Sequence, residues 1–156
     1  MKKLEQAESA TDSQSPKPVW LAKPKIFIVV PAYREQGNIG PLIDELKALT
    51  IRGCLIDFVV VNDGSTDLTE TEAKAAGARV ISHPYNMGIG MTVQTGFRYA
   101  VEHGATHVVQ VDGDGQHLPS EITRLLEVMN QKNCDVVVGT RFRKDIEKGI
   151  RTTTFL

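Results

Sequence analysis

Apolar residues along this chain follow two rhythms. Short runs rich in β-branched residues read as strands: Ile26 to Val30, Ile56 to Val61, Arg79 to Ser82, Thr106 to Val111 and Asp135 to Val138. Between them, apolar residues recur every three or four positions, the period of a helix with one buried face. The first such stretch is Ile39, Leu42, Ile43, Leu46 and Leu49, with Asn38 placed to cap it. Asp67, followed three residues later by Glu70, resembles a capping box for a second helix that Gly77 ends. Ile89, Val93, Phe97, Ala100 and Val101 predict the buried face of a third helix, closed by Gly104. Pro119 suits the first turn of a fourth, whose apolar face is Ile122, Leu125, Leu126 and Met129.

Continuous apolar strands alternating with amphipathic helices predict an α/β protein with a mostly parallel sheet, covered by helices on both faces. Such sheets bind ligands beyond the carboxyl ends of their strands. Polar clusters fall at those ends: Pro31 to Glu35, Asn62 to Asp67, Asp112 to His117, and Gly139 to Arg141.

The richest cluster is the run VVQVDGDGQH from Val108 to His117. Side chains at i and i+2 of an extended segment leave the same face, so Asp112 and Asp114 can share one hard divalent cation. A cation held by two carboxylates keeps positions open for water and phosphate oxygens, the habit of magnesium on a nucleotide. Gly113 and Gly115 let a bulky anion approach the backbone. Asp63, ending the second strand, suits hydrogen bonds to a base edge, although Asn-Asp-Gly-Ser is also ordinary turn chemistry. Tyr33 is placed to lie against a base, and Glu35 to bind base or ribose. The segment HPYNMGIG opens the third helix, and a helix start attracts phosphate. Gly88-Ile89-Gly90 lacks the third glycine of a dinucleotide fingerprint. His83, His103 and His107 show no partner pattern, whereas His117, five residues after Asp112, is a candidate for the site. Arg141 is placed to neutralise diphosphate charge, and the basic residues Arg143, Lys144, Lys148 and Arg151 suit either a solvated surface or a phosphate-binding loop.

Composition narrows the partners. The chain has 156 residues, 41% of them hydrophobic and 24% charged, as in ordinary globular domains. A formal net charge of -1 gives no general attraction to nucleic acid or anionic lipid. No apolar stretch approaches the roughly 20 residues of a membrane span. Cys54 and Cys134 lack metal-ligand spacing and read as reduced thiols of a cytoplasmic protein. Residues 1–24 form a polar tail with no apolar segment of a signal peptide and are expected to be disordered, with Trp20 and Leu21 docking on the domain. The ordered domain is expected over residues 25–156.

Taken in order, PAYRE, NDGSTD, NMGIG, DGDGQH and GTRF resemble family 2 glycosyltransferases of the GT-A, Rossmann-like fold. The nearer likeness is to dolichyl-phosphate mannose synthase and bacterial polyprenyl-phosphate glycosyltransferases, and it spans about Lys25 to Phe142. The resemblance implies a UDP- or GDP-sugar donor, Mg2+ or Mn2+, an inverting transfer, and a lipid-phosphate or glycan acceptor. It implies nucleotide binding by Pro31, Ala32, Tyr33, Glu35, Asp63, Gly88, Asp112 and Gly113. Asp112 and Asp114 match the family's metal-binding Asp-X-Asp, Gln116 a further metal ligand, and Arg141 an arginine near the donor phosphates. Asp112, Asp114 and Arg141 are thereby the candidate catalytic residues.

Two departures carry expectations. Met91-Thr92 stands where relatives often have small residues. The chain ends at Leu156, soon after the nucleotide half, so it is expected to lack the acceptor-binding part and to bind nucleotide without turning over alone. A sheet edge left open by such truncation would favour self-association, and a full-length form would work at the inner face of the membrane. The rivals are a nucleotide-binding but catalytically incomplete module, and a haloacid-dehalogenase-like phosphotransferase with Asp112 as nucleophile. A calcium loop counted from Asp112 fails, with His117 at its sixth position and Thr123 at its twelfth.

Overall fold

The computed structural model describes residues 23–139. Four strands, β1 (Lys25–Ala32), β2 (Leu55–Asn62), β3 (Val80–Ser82) and β4 (His107–Gln110), form one sheet in the order β3-β2-β1-β4. Every pairing is parallel, with Ile26 opposite Ile56 and His107, and Val60 opposite Val80. Helices α1 (Ile39–Ala48), α2 (Thr69–Ala75) and α3 (Ile89–Glu102) fill the three crossovers, and α4 (Ile122–Lys132), preceded by a 3-10 turn over Pro119–Glu121, follows β4.

The sheet is buried on both faces because alternate residues of β1 feed two separate cores. Ile26, Ile28, Val30 and Ala32 pack with Ile39, Leu42, Ile43 and Leu46 of α1, Ala73 of α2 and Ile122 of α4. Phe27 and Val29 point the other way, with Val59, Val61 and Ala100 of α3. The α/β class and the double covering expected from the sequence are therefore present.

Helix α3 does not bury the face its apolar spacing predicts. Its buried residues are Thr92, Gly96 and Ala100, while Ile89, Phe97 and Val101 are exposed. Close approach decides this. A Cβ at Gly96 would overlap the side chain of Val29, so the helix backbone lies directly on β1 along its small residues. The larger apolar residues cannot occupy that seam.

Three other expectations are corrected. Residues Asp135 to Val138 form no strand, and Val136 and Val138 are exposed; β-branched composition alone does not supply a pairing partner. Asp67 and Glu70 do not form a capping box: α2 starts at Thr69 after Leu68, and the Glu70 carboxylate pairs with Lys74. Asn38 occupies the N-cap of α1 without a side-chain cap bond; its amide donates to Glu35 Oε2, and the Glu35 carbonyl takes the N–H groups of Asn38 and Ile39. The strand expected over Thr106 to Val111 is assigned only over His107–Gln110, but the Val111 N–H still donates to Val29 and the Gly113 N–H to Pro31. The β1 register thus continues into the acidic loop. Trp20, Leu21 and nearly all of the expected tail, with Arg141 and the basic run after it, lie outside the described residues.

Candidate functional site

The sheet order places β1 between β2 and β4: the α1 and α2 crossovers step outward from β1 to β2 and β3, and the α3 crossover returns past them to set β4 on the other side of β1. The gap between those crossovers at the carboxyl ends is where open parallel sheets accept ligands. A cleft of about 430 Å³ opens there, lined by Pro31, Ala32, Tyr33 and Glu35 after β1, Asp63 after β2, Asn86, Gly88, Ile89 and Thr92 around the start of α3, and Asp112, Gly113 and Asp114 after β4. All eight residues expected to bind nucleotide line this one cleft, and Asp114 joins them. Gln116 lies just beyond it, exposed on the same loop. Sequence reasoning did not single out Asn86, Ile89 or Thr92. The first two lay inside a noted motif, and Thr92 in a noted departure.

The acidic loop is held in shape by its own polar groups. The Gln110 side-chain amide donates to Asp112 Oδ1 at 2.8 Å, and the Gln116 N–H donates to Asp114 Oδ1 at 2.9 Å. The Asp112 N–H donates to His117 Nδ1 at 3.2 Å, so His117 braces the loop through that nitrogen. These bonds occupy one oxygen of each carboxylate. Gly113 serves packing more than ligand approach: a Cβ there would lie 3.1 Å from the Pro31 carbonyl and 3.2 Å from Ala32 and Glu35. The acidic loop therefore rests against the end of β1, which ties the two carboxylates to the Tyr33–Glu35 wall.

Among the described residues no three His, Cys, Asp or Glu side chains gather as a complete metal cage. Two neighbouring carboxylates on an open cleft nevertheless fit a hard cation that keeps waters and takes further oxygens from a bound phosphate. The donor set is oxygen-only, which suits Mg2+ or Mn2+ over zinc.

The wall containing Tyr33 is latched to the turn after β2. The N–H groups of Arg34, Glu35 and Gly37 donate to Ser65 Oγ, Thr69 Oγ1 and Glu72 Oε2, at 3.0, 2.8 and 2.6 Å. Thr69 is fully buried and donates its own hydroxyl to Asp67. That bond holds the Asp67 carboxyl below the usual carboxylate range, against a smaller opposing effect of burial. Arg34 adopts the left-handed region (φ 58), which the latch sustains, and its guanidinium sits 5.2 Å from the Tyr33 ring.

Asp63 is the most enclosed polar residue of the cleft after Thr92, 3% exposed. Its Oδ1 accepts from His83 Nδ1 at 2.8 Å and from the Met87 N–H at 2.9 Å; its Oδ2 accepts from the Gly88 N–H at 2.8 Å. Burial raises its pKa, but the bonds from Met87, His83 and Gly88 outweigh burial and hold the carboxyl below its ordinary value. Asp63 is thus an anion placed at the start of α3. The Gly88 N–H, expected to attract phosphate, already serves this carboxylate.

A parallel α/β sheet with an acidic, half-open cleft at its switch point defines a domain of the Rossmann-like kind. Its sequence matches the family described as Glycosyl transferase family 2 over residues 27–154, and the chain belongs to that family. Membership answers the phosphotransferase alternative raised by the Asp-X-Asp string. The chain is 28% identical over 144 residues to UDP-N-acetylglucosamine--dolichyl-phosphate N-acetylglucosaminyltransferase of Methanococcus voltae, covering 81% of this chain and 56% of that protein. It is 29% identical over 122 residues to undecaprenyl-phosphate mannosyltransferase of Micrococcus luteus, covering 75% and 48%. Its structure is similar to that of glucosyl-3-phosphoglycerate synthase from Mycobacterium tuberculosis in complex with Mn2+, UDP-glucose and phosphoglyceric acid. That match has a TM-score of 0.55 and 30% identity, over 68% of this chain and 39% of the synthase. The GT-A fold expectation agrees with this likeness. The chain spans about half the length of the curated relatives it matches. No helix among the described residues is long and apolar enough to cross a membrane.

Proposed function

We propose that this chain binds the nucleoside diphosphate of a sugar donor through a divalent cation, as the donor half of a glycosyltransferase that passes the sugar to a polyprenyl phosphate with inversion. The observation that carries the reading is the meeting of Asp112 and Asp114 with Tyr33, Glu35 and Asp63 in one cleft at the switch point. Support for the cation comes from the oxygen-only donor pair and from the similar synthase, whose structure is a complex with Mn2+ and UDP-glucose. Support for a lipid-phosphate acceptor comes from the names of the two sequence relatives.

In this reading Asp112 and Asp114 hold Mg2+ or Mn2+ through the oxygens that Gln110 and the Gln116 N–H leave available, with Gln116 as a further ligand. The cation, when bound, neutralises the departing diphosphate. Tyr33 lies against the base, Glu35 takes base or ribose, and Pro31, Ala32 and Gly113 shape the floor beneath them. Arg141, outside the described residues, adds positive charge near the diphosphate. A phosphate acceptor is already an anionic nucleophile, so this branch needs no carboxylate base to activate it.

Calorimetric titration with UDP and GDP, in manganese and in chelator, tests the reading. Wild-type chain is expected to bind one of them in manganese at least about tenfold more tightly than in chelator, since losing one charge-assisted contact costs about 1.4 kcal/mol or more. Asp112→Asn and Asp114→Asn are each expected to erase that manganese increment. Equal affinity in all three proteins would refute the cation site. The catalytically incomplete module remains the second reading, favoured by the half-length match. It is supported if the chain binds nucleotide in manganese yet moves no sugar to a polyprenyl phosphate.

A further inference from the structure

No local sequence pattern assigns His83 a partner, yet the fold encloses it at the back of the cleft. Its side chain is 9% exposed. Nδ1 lies 2.8 Å from Asp63 Oδ1, and Nε2 lies 3.0 Å from Thr95 Oγ1. An ionised carboxylate only accepts, so Nδ1 carries the proton, and the Thr95 hydroxyl serves Nε2. Both ring nitrogens are therefore committed, one toward β2 and one toward α3.

The carboxylate that His83 grips is the same one that gathers the Met87 and Gly88 N–H groups. An ionised carboxylate offers about four acceptor positions, and three of Asp63's are in use within the protein. One acceptor position of Asp63 remains, enough for a single N–H of a base, and the other three are spent on His83 and the segment after β3. That segment also packs closely on the next residue, Gly64. Gly64, at φ +66, allows the Tyr85–Asn86 backbone so close that a Cβ would lie 2.5 to 2.8 Å from its atoms. Residues 85–88 thus lie against Asp63 and Gly64 together and supply Asn86 and Gly88 to the cleft wall.

We propose that His83 is a positioning residue for nucleotide binding: by fixing the Asp63 carboxylate it holds Met87 and Gly88, and with them the Asn86–Gly88 wall, in the shape that receives the nucleotide. This deepens the reading of the cleft as a nucleotide site and rests on it. Asp63 then anchors that wall as well as facing the cleft.

Two substitutions of similar size separate the proposal from a packing role. Asn presents an amide N–H near the place of Nδ1, whereas Gln presents its amide nearer the place of Nε2. For the full chain labelled with 15N, amide hydrogen exchange at Met87 and Gly88 and calorimetric affinity for UDP and GDP in manganese are measured. His83→Gln is expected to speed exchange at both amides and to weaken nucleotide binding, each about tenfold, the loss of one hydrogen bond to a charged group. His83→Asn is expected to restore both to within about threefold of wild type, a residual of under 1 kcal/mol. If Asn and Gln behave alike, or if exchange rises in Gln while nucleotide affinity stays at the wild-type value, the positioning role is overturned. A wild-type chain that binds neither nucleotide overturns the nucleotide reading and this inference with it, whereas binding by wild type with no Asn–Gln difference overturns this inference alone.

Discussion

At the scale of single residues, the cleft wall contains an anion kept charged by donated hydrogen bonds. Asp63 is that anion, because burial opposes its charge and the hydrogen bonds it accepts overcome that opposition. Its folded pKa lies below the unfolded value of about 3.9, so its contribution to stability is complete above that pH and is lost as pH falls through the folded value. Asp67 and Glu70 are displaced in the same direction, by the Thr69 hydroxyl and by Lys74 respectively, and steepen the same slope. Urea unfolding between pH 7 and pH 3 is expected to show stability declining below about pH 5. Asp63→Asn is expected to be less stable at pH 7 by about 1.5–3 kcal/mol, because its amide presents donors where donors already converge. Its decline toward pH 3 should be shallower than that of wild type. Parallel pH slopes for the two proteins would show that Asp63 is not held ionised by the fold.

At the scale of elements, the chain displays some of its arrangement and hides the rest. The strand ends carrying Asp63, Asp112 and Asp114 are legible because an apolar run stopped by glycine and carboxylate is a local pattern. The Ser65–Thr69–Glu72 latch is not, because its bonds join residues 31 to 35 positions apart. His83 is hidden for a similar reason, since Asp63 and Thr95 stand 20 and 12 residues away. Helix α3 misleads in another way: its large apolar residues form a stripe at helical spacing, but the stripe faces outward because Gly96 brings the helix onto Val29. Gly96→Ala is expected to cost about 1–3 kcal/mol from overpacking, only partly offset by the roughly 1 kcal/mol gain in helix propensity. Equal or greater stability in urea would show that this seam is looser than described. Thr69→Val keeps the shape and removes the hydroxyl shared by Glu35 and Asp67. It is expected to lose about 1–3 kcal/mol, with weaker nucleotide binding as the Tyr33 wall loosens. A variant that loses stability and keeps full affinity would separate the latch from the site.

At the scale of the whole molecule, alternation of strand and helix is enough to foresee a parallel sheet with two covered faces, and family membership agrees with it. The sheet order itself is not legible, since nothing local says that β4 pairs with β1 on the side away from β2. That order nonetheless makes the cleft, by bringing an acidic loop more than 70 residues distant in sequence against Tyr33 and Glu35. The expected fifth strand fails for the same reason that β4 succeeds: pairing is decided by neighbours and not by composition.

The central claim, that Asp112 and Asp114 jointly hold a cation which holds a diphosphate, is tested most directly by diffraction from crystals grown with Mn2+ and the nucleotide that binds. An anomalous manganese peak bridging the two carboxylates, with diphosphate oxygens completing its coordination and the base beside Tyr33, is the expected result. A nucleotide seated in the cleft with no manganese on either aspartate, or manganese bound away from both, would contradict it.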